Sequence, residues 1–131
     1  GANMDRHSRH LPVFLNLAQI RFPIGAIASI AHRVSGVLLF IALPVLAALL
    51  HASLRSEADF ASVRGLLSSP LSLVVAGVLA WALAHHVLAG IRHLLMDVGI
   101  GSELERARAS ARLILVAAPA LALLLLVWGL S

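Results

Sequence analysis

LSLVVAGVLAWALAHHVLAGIRHLLM, residues 71–96, decides the fold. It is apolar over more than the roughly 20 helical residues that cross a hydrocarbon core about 30 Å thick. Its second half nevertheless carries His85, His86, Arg92 and His93, with Asp97 just beyond. Polar groups among leucines and alanines need partners. The stretch therefore poses a fold question and a chemical one.

Outward from this span, two more apolar runs appear, at about 24–52 and about 113–130. The composition agrees with a membrane protein: the 131 residues are 60% hydrophobic and 12% charged, and the mean hydropathy is +0.97. Soluble domains are about 45–50% apolar and roughly 25% charged. Pro23 and Pro70 stand where helices can begin, because a first-turn residue needs no N–H partner. Gly99 and Gly101 suit the end of the second helix. Pro44 and Pro119 fall inside spans, where kinks rather than breaks are expected. The segment between the first two spans, SLRSEADFASVRG, carries both charge signs and reads as a solvated connector with a short helical turn. The third span has no ionisable residue and reads as a packing helix. The long first span is not the short core of a cleavable signal.

All ten basic residues are arginine. Arg6, Arg9, Arg21 and Arg33 lie before or early in the first span, and Arg92, Arg106, Arg108 and Arg112 lie around the second loop. Only Arg55 and Arg64 lie in the first loop. The positive-inside rule then places the N-terminus and second loop in the cytoplasm. Because the arginines flank apolar runs, no nucleic-acid partner is expected; the partner is the lipid bilayer. With no cysteine, the chain offers neither disulfides nor iron–sulfur ligation.

Two polar stripes remain. Ser29, His32, Arg33 and Gly36 fall at i, i+3, i+4 and i+7, one face of a helix. A buried arginine is costly, although one this close to the interface can snorkel and act as an anchor. On the second helix His86, Gly90, His93 and Asp97 also share a face. His93 lies about 10 Å nearer the cytoplasm than His86. A single buried histidine reads as an interhelical hydrogen bond. Two matched stripes fit a haem instead, with His86 as axial ligand and a flat porphyrin over the Gly90 gap. Its propionates would then meet His32, Arg33 and His93. His85 lies about 100° around the helix from His86 and faces elsewhere. His51, at the far end of the first span, reads as interfacial, so a second axial ligand must come from a partner subunit.

The stretches IRFPIGAIASIAHRVSG (20–36) and HVLAGIRHLLMDVG (86–99) resemble the two signatures of the cytochrome b membrane-anchor subunit of succinate dehydrogenase, respiratory complex II. The first is similar to a Ser-x-x-His-Arg-x-Ser core, here Ser29, His32, Arg33 and Ser35. The second is similar to His-x-x-x-Gly-x-Arg-His followed by an aspartate. The N-terminal Leu11–Pro12 stands where the family has Arg-Pro.

The resemblance implies an all-α integral membrane fold, three transmembrane helices forming half of a haem-binding helical bundle. Residues 1–23 would be an N-terminal cytoplasmic segment and 24–131 a three-helix transmembrane anchor domain in a bacterial inner membrane. It implies a second small anchor subunit, an iron–sulfur subunit and a flavoprotein subunit as partners. It also implies haem b held by the His86 metal ligand with His32, Arg33 and His93 at the cofactor, and ubiquinone met by Ser29 and Arg33. The chain would serve as a subunit of succinate:quinone oxidoreductase without being catalytic alone. A fumarate reductase anchor, a haem-free structural anchor and a small transporter subunit are the competing readings.

Overall fold

The computed structural model describes residues 23–131, so the expected cytoplasmic segment, Leu11–Pro12 included, lies almost wholly outside the described residues. Four helices follow in order: α1 (Ile24–Ser53), α2 (Glu57–Leu67), α3 (Pro70–Asp97) and α4 (Leu104–Leu130). Helices α1, α3 and α4 are long and apolar enough to cross a membrane. At 30, 28 and 27 residues, each reaches about 40–45 Å, beyond a roughly 30 Å hydrocarbon core. The protein is therefore a multi-pass membrane protein.

The boundaries follow from local chemistry. Pro23 is extended and caps α1 without a side-chain hydrogen bond. Ser69 Oγ accepts from the Ser72 N–H, and Pro70 occupies the first turn of α3. Gly99 and Gly101 have φ of +84° and +71°, which only residues without a Cβ adopt freely, and they turn the chain from α3 into α4. Helices α1 and α4 continue through Pro44 and Pro119.

Two expectations are corrected. The first connector holds an 11-residue helix, α2, rather than a single turn. Ser56 Oγ accepts from the Asp59 N–H at 3.0 Å, and Glu57 and Asp59 place negative charge on the first turn. The third span begins at Leu104 rather than near residue 113. Its polar opening turns, with Arg106, Arg108 and Arg112, form a helix that projects beyond the apolar run.

Helix α3 packs most extensively, against α1 on one side and α4 on the other. Apart from His85 on α3, the contact stripes are small residues: Ala28, Ser35 and Ala42 on α1; Ala82 and Ala89 on α3; Ala111, Ala118 and Ala122 on α4. Lipid offers leucine no penalty for exposure, so membrane helices associate where small side chains let backbones close together. Large apolar side chains point away from the bundle, with Phe40 77% and Trp128 78% exposed.

Arg92 ties α3 to α4 where the arginine-rich ends meet. Its Nε donates to Ser110 Oγ at 2.9 Å, and its Nη2 donates to the Ala107 carbonyl at 3.0 Å.

Candidate functional site

The polar stripes of α1 and α3 face each other. The imidazoles of His32 and His86 stack with centroids 4.3 Å apart and planes 14° from parallel. Each ring lies over a glycine of the opposite helix. A Cβ on Gly36 would stand 3.1 Å from His86 Cε1, and one on Gly90 would stand 3.7 Å from His32 Nε2. The repeated His-x-x-x-Gly, His32–Gly36 and His86–Gly90, is thus a reciprocal fit of ring into gap. The space beside Gly90, expected from sequence to receive a porphyrin, has His32 against it.

His86 is half-buried. Its Nδ1 lies 3.3 Å from Ser35 Oγ and 3.3 Å from the His32 carbonyl oxygen. Ser35 already donates its own proton to that carbonyl, at 2.7 Å. Both neighbours of Nδ1 therefore present lone pairs, and Nδ1 must carry the hydrogen. In a neutral imidazole this leaves Nε2 as a bare base, the form that binds a metal. Nε2 makes no hydrogen bond among the described residues. Stacking covers a ring face, whereas coordination uses the in-plane lone pair, so the two are compatible.

His85 does a different job. It is fully buried, stacks on Trp81 at 5.4 Å, and donates from Nε2 to the Ala28 carbonyl at 3.2 Å. Its Nδ1 is buried without a partner among the described residues, but it is sealed inside the chain, away from any bulky cofactor. Both adjacent histidines bond across to α1, and each keeps one nitrogen without a partner among the described residues, but His85 is fully buried whereas His86 is only half-buried.

Toward the arginine-rich end, Ser29, His32, Arg33 and His93 line one cleft with Ala28, Ala89 and Arg92, about 180 Å³ in volume. Complete small-molecule sites run about 300–1,000 Å³, so this cleft has the size of part of a site. Ser29 and Arg33 are exposed, and the Arg33 guanidinium pairs with no acid among the described residues. His93 lies 3.6 Å from Asp97 in an exposed pair that contributes little stability. Five residues singled out from sequence are thus in one region. His32 touches both parts, lining the cleft and stacking on His86. His51 is exposed at the last turn of α1, far along the chain from this cluster.

Sequence reasoning gave no role to Ser35 and none to Arg92 as a tie to α4. The repeated His-x-x-x-Gly was the available signal for the interlock, but only the helix–helix register reveals which ring meets which glycine.

Among the described residues no three metal-binding side chains cluster. A bare ion would lack ligands here. A haem brings four nitrogens of its own and asks a chain for one imidazole, which His86 offers, and for cations near its carboxylates, which Arg33 offers.

Residues 7–126 match the family described as succinate dehydrogenase/fumarate reductase transmembrane subunit. Among curated relatives, a succinate dehydrogenase cytochrome b556 subunit of Paracoccus denitrificans is 33% identical over 126 residues, covering 96% of this chain and 95% of the relative. The protein of the same name from Coxiella burnetii is 38% identical over 107 residues, covering 80% of this chain and 85% of the relative.

Proposed function

The chain belongs to the succinate dehydrogenase/fumarate reductase transmembrane subunit family, and from that premise we propose that it anchors a succinate dehydrogenase, binds haem b and helps to form the site where ubiquinone is reduced. The observation that carries this reading is the hydrogen bonding of His86, which commits Nδ1 as donor and leaves Nε2 for iron. The haem, when bound, supplies a one-electron store between succinate oxidation and the quinone. A second small anchor subunit would supply any further iron ligand, since His32 lies stacked face to face on the His86 ring and His93 pairs with Asp97 on the exposed end of α3. A flavoprotein and an iron–sulfur subunit dock at the arginine-rich end. By the excess of arginine there, that end and the N-terminus are cytoplasmic in a bacterial inner membrane.

At the cleft, each residue has a separate task. Arg33 brings a permanent cation, paired with no acid among the described residues, to the place where charge would develop on a quinone carbonyl oxygen. Ser29, one turn away, offers a hydroxyl to orient the same ring. His32, Arg33 and His93 would hold the carboxylates of a bound haem. Physiological direction, succinate oxidation or fumarate reduction, depends on potentials set in the other subunits.

One observation favours a second reading, a haem-free anchor. Stacking of His32 on His86 and the His86 bonds to α1 already hold two helices together without any cofactor. A pyridine haemochrome assay on the purified complex separates the two: about one haem b per flavoprotein supports the proposal, and none supports the plain anchor. The quinone role is tested by Arg33→Ala. Quinone reductase activity should fall at least tenfold, with succinate oxidation by a soluble dye kept near wild type. Equal loss of both would mean that Arg33 holds the assembly together.

A further inference from the structure

We infer that Ser35 is a positioning residue for the His86 iron ligand: its oxygen fixes the tautomer and the tilt of that imidazole before any haem arrives. This rests on the proposed haem-binding role of His86. Ser35 is fully buried. Its proton goes to the His32 carbonyl at 2.7 Å, so toward His86 Nδ1, at 3.3 Å, it can only accept. The same His32 carbonyl lies 3.3 Å from Nδ1. Ser35 and His32 thus form a two-point cradle for one N–H. Donation from Ser35 also polarises the arrangement, since hydrogen bonds in a chain strengthen one another at low local dielectric.

The two acceptors do different work. The His32 carbonyl belongs to the helix backbone and accepts wherever α1 places it. The Ser35 oxygen, on the residue one turn further along α1, gives the same N–H a second acceptor, which narrows the ring tilts that keep Nδ1 bonded. Because both acceptors face Nδ1, turning the ring over would set a C–H against two lone pairs, so the ring is kept presenting Nε2. Outer partners of this kind set ligand orientation and raise ligand basicity.

The experiment uses the complete membrane complex carrying Ser35→Ala, Ser35→Cys or Ser35→Thr. Haem content is measured by pyridine haemochrome, haem retention by the rate of transfer to excess apoglobin, and the midpoint potential by redox titration. Loss of an outer ligand partner typically costs 10–100-fold in affinity. Ser35→Ala should therefore release haem about 10–100-fold faster and raise the midpoint potential, because a less basic imidazole stabilises ferric iron less. Ser35→Cys, close in volume but a poor acceptor, should follow Ser35→Ala, and Ser35→Thr, which keeps the oxygen, should stay within a few-fold of wild type. Wild-type retention and potential in Ser35→Ala or Ser35→Cys overturn the inference. So does equal loss in Ser35→Ala and Ser35→Thr with Ser35→Cys unaffected, which would make space rather than the oxygen decisive. A wild-type complex without haem would be a different failure, that of the functional reading itself, visible before any variant is made.

Discussion

Substituting the two glycines opposite the histidines should have unequal consequences, in the order that sequence alone would reverse. Alanine at position 36 puts a Cβ 3.1 Å from His86 Cε1 and 3.5 Å from its Nδ1. That is tighter than ordinary carbon contact, so the ring must give way by a few tenths of an ångström. Overpacking of this kind costs about 1–3 kcal/mol. The gain in helix propensity for Gly→Ala, about 0.8–1 kcal/mol, offsets part of it. Up to about 2 kcal/mol then falls on the orientation of one imidazole, and about 1.4 kcal/mol is tenfold in an equilibrium constant. Alanine at position 90 meets nothing nearer than His32 Nε2, at 3.7 Å, an ordinary contact. It keeps the helix gain and should be neutral or stabilising. In purified complex, Gly36→Ala should bind haem more weakly, by up to about 30-fold, read from the reduced-minus-oxidised spectrum during haem transfer to apoglobin. Gly90→Ala should leave the b-type band intact. Loss of haem in Gly90→Ala with retention in Gly36→Ala would refute this reasoning and return the porphyrin to the Gly90 gap.

Further outcomes follow from the same contacts. Arg92→Ala removes two charge-assisted bonds to α4, each worth about 1.5–3 kcal/mol, and should lower the thermal inactivation temperature of the complex; Arg92→Lys, a single-point donor, should restore only part of it. Ser56→Ala removes the cap of α2 and should cost about 1 kcal/mol of local stability, read as faster amide exchange in α2 with haem content unchanged.

The three spans were legible because a bilayer demands a length of apolar helix that hydropathy measures directly. For α1 and α3 the expected ends agree with the structure to within a residue. The early start at Leu104 was not, because residues 104–112 are helical by continuity and by the Arg92 tie rather than by apolar content. Helix α2 carried a readable signal, Ser56 followed by Asp59, which the mixed charges of the connector obscured. Ser29, His32, Arg33 and His93 could be grouped from period alone, since one face of each helix holds them. The division of labour between His85 and His86 was suggested by the same period. Their hydrogen bonds depend on the closeness of α1, which the alanines and glycines permit but do not spell out. Ser35 stood in the first signature, but its contact with His86 was not legible for that reason: a serine in an apolar helix usually bonds its own backbone, and Ser35 does that too.

The central claim is that one particular nitrogen of this chain binds haem iron, and the adjacent histidine pair tests it. Reduced-minus-oxidised spectra of complexes carrying His86→Ala and His85→Ala give the answer. His86→Ala should lose or strongly weaken the b-type band. His85→Ala should keep it and lose stability, by about 0.6–2 kcal/mol for an interhelical bond in a membrane plus the space vacated beside Trp81. A band that survives His86→Ala and disappears in His85→Ala would contradict the account.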